Sequence, residues 1–222
     1  MRELLLTLTF ALIAVAALAW KNSQRSARSD RPILAANRTE KGLASPVLAD
    51  LYRSGSIRGV TSAPVQVVEF GSFTCSFCYE FAALLDTLDR RYPGAIALRW
   101  VHAVSPGAAQ GSPEYLLALA SECFDEQGRF SEFHDAVLLQ RRSLSDRVAL
   151  IEFAGEVKVN DLTLFLACLD GSDAHESIEG EWRLAERLKV TGTPTLLVNG
   201  QRFEGVPSLV QLDSVVLARL RQ

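Results

Sequence analysis

Cysteine is scarce in this chain, four residues in 222, far below the density of small scaffolds that cross-link because they cannot bury a core. So few thiols have particular jobs rather than bulk stapling. Histidine is scarcer, at three residues, and His102, His134 and His175 stand far apart in sequence. Glycine and proline, 14 and 8, show neither the excess nor the period of a collagen-like or low-complexity chain. There is no internal repeat. No lysine and arginine stripe with interleaved aromatics is present, and acids outnumber bases 26 to 23. A phosphate backbone would be repelled, which argues against nucleic acid as a partner. What is there is ordinary globular material: 48% hydrophobic and 22% charged residues, enough for one core.

The one long apolar run is Leu4 to Trp20, interrupted by Thr7 and Thr9 and preceded by Arg2. It reads as a signal peptide or membrane anchor over residues 1–20. It is long for a cleaved leader and short for a spanning helix, and Ala17-Leu18-Ala19 offers a small-residue cleavage site. Lys21, Arg25, Arg28 and Arg31 follow it, on the side that the positive-inside rule would keep cytoplasmic. Export is nonetheless favoured by the cysteine usage. Residues 21–60 read as a polar linker with one short helix around Ser45 to Tyr52, and residues 61–222 as the folded domain.

Within that domain Val65 to Phe70 is a Val-rich run introduced by Ala63-Pro64, the pattern of a buried strand. Cys78, Phe81, Leu85 and Leu88 then recur at helical spacing. Arg90 and Arg91 fall in the last turn, and Tyr92-Pro93-Gly94 stops the helix. Ala95 to Val101 is a second strand, so the unit is β-α-β with parallel strands. From about 107 to 188 the pattern is helical. Leu116, Leu119, Ala120 and Cys123 form one stripe, and Phe130, Phe133, Val137 and Leu138 another. Val148–Phe153, Leu162–Leu169 and the set Ile178, Trp182 and Ala185 predict three more helices. Pro194 to Val198 and Gln201 to Phe203 flank Asn199-Gly200, a hairpin signal, and Ser208 to Leu220 predicts a closing amphipathic helix.

Phe70-Gly71-Ser72-Phe73-Thr74-Cys75-Ser76-Phe77-Cys78 places two thiols three apart where strand passes to helix. At a helix N-terminus, unpaired N–H groups and the macrodipole stabilise a thiolate, the form that attacks disulfides. Cys75 is therefore the nucleophile. Cys78, one turn on, is the resolving thiol. Half of a zinc site is the alternative, but Cys123 and Cys168 form no second close pair and the histidines are scattered, so no metal is assigned. A purely structural disulfide is the other alternative, although so tight a loop constrains little chain entropy. The second element is Val190-Thr191-Gly192-Thr193-Pro194-Thr195, where the proline reads from sequence alone as a trans strand-start proline.

The stretches Phe70–Cys78 and Thr191–Thr195, the β-α-β and β-β-α halves and the helical insertion together resemble a thioredoxin-fold disulfide oxidoreductase of the DsbA type. The resemblance covers about residues 58–220 and includes Ala120-Ser121-Glu122-Cys123, Glu126-Gln127-Gly128 and Phe133-His134-Asp135. It implies an α/β fold, thioredoxin-like with an inserted α-helical subdomain. It makes Pro194 a cis-proline facing the Cys75 sulfur, with Thr193 offering its backbone to an extended substrate. It also implies a thiol:disulfide oxidoreductase with no bound cofactor, extracytoplasmic and monomeric, acting on unfolded or cysteine-containing exported proteins. As an oxidase it would be served by a quinone-linked membrane reoxidase; as a reductase or isomerase, by an electron donor.

DsbA-type oxidants often carry Pro-His between the cysteines; here Ser76-Phe77 stands instead. Ser76 can donate one hydrogen bond, Phe77 none from its side chain, and Glu80 adds a like charge in the first helical turn. A less extreme oxidant is expected, with a Cys75 pKa nearer that of free cysteine. Cys123 and Cys168, on two apolar stripes of the insertion, are candidates for a structural disulfide as in some relatives of this type, or are two buried free thiols. None of the three histidines has a nameable partner. Phe73 and Phe77 flank the reactive pair as docking surface or as packing. Two other readings of the same residues are a thioredoxin-fold copper metallochaperone and a non-catalytic peptide-binding module.

Overall fold

A computed structural model of the chain describes residues 50–51, 54–103, 111–144 and 146–221. The predicted signal or anchor segment, Trp20 and most of the predicted short helix lie outside the described residues. Among those described, no helix is long and apolar enough to cross a membrane. The sheet and its helices belong to the unit Ser54–Gln222.

The Val-rich run becomes β2 (Val65–Gly71), the middle of a five-stranded sheet. Its partner β3 (Ile96–His102) runs parallel, in register from Val65 with Ile96 to Gly71 with His102. The sixteen-residue helix α1 (Ser76–Arg91) connects them, burying Cys78, Phe81, Ala82, Leu85 and Leu88 on one face. On the other side of β2 lies β4 (Thr195–Val198), antiparallel. β4 turns back through Asn199 and Gly200, both at positive φ (46° and 85°), into β5 (Gln201–Glu204). That is the backbone for which Asn-Gly is suited.

β1 (Ser56–Gly59) pairs antiparallel with β3 and completes the order β1-β3-β2-β4-β5. It lies inside the stretch assigned from sequence to a linker, so the sheet begins earlier than expected. Ser56-Ile57-Arg58-Gly59 has only one large apolar residue and no strand pattern. Long-range contacts hold it: ladder bonds to β3, and Arg58 reaching Asp89 on α1 at 2.5 Å and Asp135 at 2.8 Å.

Between β3 and β4 the described residues form five helices: α2 (Pro113–Glu126), α3 (Phe130–Leu138), α4 (Arg147–Glu156), α5 (Leu162–Leu169) and α6 (Ser172–Arg187). The closing helix α7 (Leu209–Leu220) opens on a capping box, Ser208 with Gln211. The core has two parts. One gathers Val65, Val67, Phe81, Leu98 and Leu196 with Leu212 and Val216 of α7. The other joins Phe73 and Trp100 to the aromatics of the insertion, where Phe124 stacks on Phe133 at 4.8 Å and meets Phe165 at 4.7 Å. Gly71 is what lets Trp100 lie against β2: a Cβ there would fall 2.5 Å from its ring.

Candidate active site

Cys75 is the N-cap of α1, in extended conformation, and as a thiol it makes no side-chain cap bond. The next N–H groups of the helix have no partner within it. Burial raises the Cys75 thiol. Hydrogen bonds from the Thr193 and Cys78 side chains, and the backbone N–H groups of Cys78 and Phe77, outweigh burial and leave its pKa below the ordinary thiol value. Phe77 and Cys78 are the second and third helical residues, those whose N–H groups bond an oxygen cap. The thiolate thus takes the place of a capping carboxylate. Phe77 and Cys78 act here through their backbone N–H groups, so the missing Pro-His dipeptide does not leave the sulfur unsupported. Glu80, expected to oppose the thiolate, is exposed on the helix surface.

The acid that does couple to the thiols was not foreseen. Glu69 of β2 is fully buried, and neither of its oxygens has a nitrogen or oxygen donor. Burial pushes it up to about 8, the neighbouring Cys78 thiol opposes that, and Cys75 adds to it. Cys78 in turn is driven far above the ordinary thiol value by burial and by Glu69. The sequence did hold a signal: Glu69 is the only acid in Val65–Gly71, a stretch otherwise read as core.

Across from the pair, the Thr193–Pro194 peptide bond is cis, where sequence alone favoured trans and the family resemblance cis. The Thr193 carbonyl accepts the Cys75 S–H at 3.3 Å, so the structure places Thr193 against the nucleophile, with Pro194 next to it in the chain. The two flanking aromatics part company. Phe73 is 1% exposed and stacks on Trp100 at 4.5 Å, whereas Phe77 is 56% exposed. Phe73 is packing; Phe77 is open to a ligand.

Cys123 and Cys168 are joined in a disulfide that ties α2 to α5. Each histidine has a partner that sequence did not reveal. His134, fully buried, lies 2.9 Å from Asp135 through Nδ1, and burial lowers its pKa. His175 meets the Tyr115 hydroxyl at 2.6 Å. His102 is buried among Trp100, Ser121, Glu122 and Glu181. His102, Glu122 and Glu181 are close enough to share a cation, yet the imidazole has no lone pair to give. The Trp100 indole can only donate, and it donates to Nδ1 at 3.1 Å, which leaves the ring proton on Nε2, 2.8 Å from Ser121 Oγ.

Comparison with known proteins places this geometry. The chain is 30% identical over 200 residues to the Na(+)/H(+) antiporter NhaA 3 of Salinispora tropica. The match takes in 88% of this chain and only 29% of the antiporter. Among solved structures, it is similar to the thiol-disulfide exchange protein alpha-DsbA2 of Wolbachia pipientis, with a TM-score of 0.62 at 20% identity, covering 78% of this chain and 92% of that one. A periplasmic thioredoxin-like protein of Salmonella enterica serovar Typhimurium superposes with a TM-score of 0.63 at 19% identity, over 82% of this chain and all of that one. At such identities the likeness concerns the fold, a thioredoxin-like sheet with a helical insertion. The family profile described as Thioredoxin extends over residues 53–217, taking in both cysteines and the cis-proline, and on that match this chain belongs to the thioredoxin family.

Proposed function

We propose that the chain is an extracytoplasmic thiol–disulfide oxidoreductase that donates a Cys75–Cys78 disulfide to exported proteins. The observation that carries this is the opposed pair of thiols: Cys75 below the ordinary value at a helix N-terminus, Cys78 far above it beside a buried carboxyl. A substrate thiolate attacks the Cys75 sulfur and the S–S bond breaks. Cys78 leaves as a thiol, taking its proton from Glu69, which is still protonated at neutral pH. A second substrate thiolate then attacks the substrate sulfur of the mixed disulfide, and Cys75 departs as a thiolate held by the helix N–H groups. Two electrons pass from the substrate to the pair, and a membrane partner, by family analogy quinone-linked, must remove them. The Thr193 backbone and exposed Phe77 hold the substrate chain.

Location outside the cytoplasm is supported by the Leu4–Trp20 run, by the Cys123–Cys168 disulfide, of a kind that persists in oxidising compartments, and by the periplasmic protein of similar fold. Ion transport is not proposed, because the matched part is a minor fraction of the antiporter.

A redox titration of the chain in glutathione or dithiol buffers, with the pair followed by alkylation and mass, tests the proposal. A potential well above the roughly −270 mV of thioredoxin, toward but short of −120 mV, is the expected result. A value near −270 mV would reverse the direction to reductase. Failure to exchange, or activity that survives Cys75→Ser, would overturn the function.

A further inference from the structure

Ser72 precedes the reactive loop, and its backbone touches both cysteines. Its carbonyl accepts the Cys75 N–H at 3.1 Å, and its own backbone hydrogen bond to Cys78 favours the thiolate there. Its side chain is buried, 4% of the residue being exposed, and the hydroxyl donates to Glu114 Oε1 at 2.8 Å. A serine hydroxyl has one proton to give. With that proton committed to a carboxylate, Ser72 Oγ is left as an acceptor, for the Thr74 N–H at 3.3 Å and the Thr74 hydroxyl at 3.0 Å. The bonds therefore run one way, from Thr74 through Ser72 to Glu114. Glu114 stands in the first turn of α2, whose N-terminus is fixed by Ser112 accepting the Tyr115 N–H and by Pro113. The anchor of the reactive loop is thus supplied by the helical insertion.

We propose that Glu114 is a positioning residue for the cysteine pair. By holding Ser72, it keeps the backbone donors aimed at the two sulfurs. The inference deepens the oxidoreductase reading and shares its site. Geometry and charge make opposite demands here, which allows them to be separated. A carboxylate acting only through its field would raise the Cys75 thiol, so removing it would lower the midpoint. A carboxylate acting as an anchor keeps the donors in place, so removing it would raise the midpoint.

The test is the pH dependence of Cys75 alkylation in the reduced full-length chain, together with its equilibrium against glutathione. Glu114→Ala and Ser72→Ala are each expected to move the alkylation midpoint upward by about half a pH unit to one, the span of a single net hydrogen bond. The equilibrium constant for donating the disulfide to glutathione should fall about threefold to tenfold in the same variants. Glu114→Gln, which keeps an acceptor and discards the charge, should restore most of both. The Ser72→Ala/Glu114→Ala double variant should go no further than either single one. Unmoved midpoints, or a fall in both Glu114→Ala and Glu114→Gln, would overturn the assignment. If Glu114→Ala does not fold, Ser72→Ala and Glu114→Gln carry the same contrast. If the wild-type pair alkylates normally but never exchanges with glutathione, the oxidoreductase function fails, and the midpoints still decide the role of Glu114.

Discussion

Glu69 keeps a proton at neutral pH because ionising it would strand a charge in the core, and that proton lies beside a sulfur that cannot leave as a bare thiolate. Replacing it with glutamine retains the volume and removes the acid. The attack on oxidised Cys75, in which Cys78 leaves and takes that proton, should slow by about a hundredfold or more, and so should the reverse step, in which Cys78 gives up its proton to attack a Cys75 mixed disulfide. Reduced protein offered a disulfide should therefore accumulate the Cys75 mixed disulfide in quenched reactions analysed by mass, and if both rates are unchanged Glu69 is not the proton donor and acceptor. Sequence exposed the cysteines and Pro194, because a spacing of three and a Thr-Pro before a strand are local signals. It missed Glu69 and Ser72, whose roles arise only when a strand is laid under a helix or a second helix closes over a loop. Glu80 misled because proximity in sequence at a helix start says nothing about which face of the helix is turned to the sulfur.

Strand β2 and helix α6 each bring a carboxyl into the interior. Glu69 and Glu181 are both raised from the ordinary glutamate value of 4.5 to about 8, by burial and, at Glu181, by the nearby Glu122 as well. In the unfolded chain both ionise near 4.5; in the fold both hold their protons to about 8. Between those values the folded state binds more protons, so stability falls as pH rises through the window and levels off above it. His134, held neutral, has the opposite sign below 6.5, and Asp135 and Asp213, held below 3.8, lose their contribution only in stronger acid. Above 6.5 His102, whose imidazole burial lowers but the bond to Glu122 and the charges of Glu181 and Glu122 raise by more, adds a fall of the same sign. From pH 6.5 to 8, in oxidised protein whose reactive thiols no longer titrate, the unfolding free energy from urea titration should therefore fall, by about 1.4 kcal/mol per pH unit for each glutamate at most. Glu181→Gln should reduce that slope, and a slope unchanged by it would refute the assignment. Among the elements, the helices were legible from their stripes, the closing amphipathic α7 included. β1 was not, because its pairing and the Arg58 bridges come from residues 31 or more positions away.

Two cores are joined through a single sheet, and the Cys123–Cys168 bridge cross-links the larger of them over 45 residues. In the chain-entropy description a loop of that length contributes about 4 kcal/mol. The Cys123→Ala/Cys168→Ala variant should unfold at a correspondingly lower urea concentration. Its Cys75–Cys78 potential should stay where it was, since among the described residues no atom of the bridge bonds to the reactive loop. A shifted potential would show that the two disulfides are coupled. The α/β halves and the insertion between them were readable from hydrophobic periodicity. The pairing of the distant cysteines was not, because no local pattern relates residues on separate helices.

The insertion leaves the sheet after His102 and returns just before Thr193, whose carbonyl meets the Cys75 sulfur; its disulfide joins two of its helices, and its aromatics pack on Phe73 and Trp100 of the frame. In evolutionary terms the bundle is free to change only where it turns away from that frame. Clients and partners can thus diversify on a fixed redox frame, so long as each new bundle still covers Phe73 and Trp100 and presents an acceptor to Ser72.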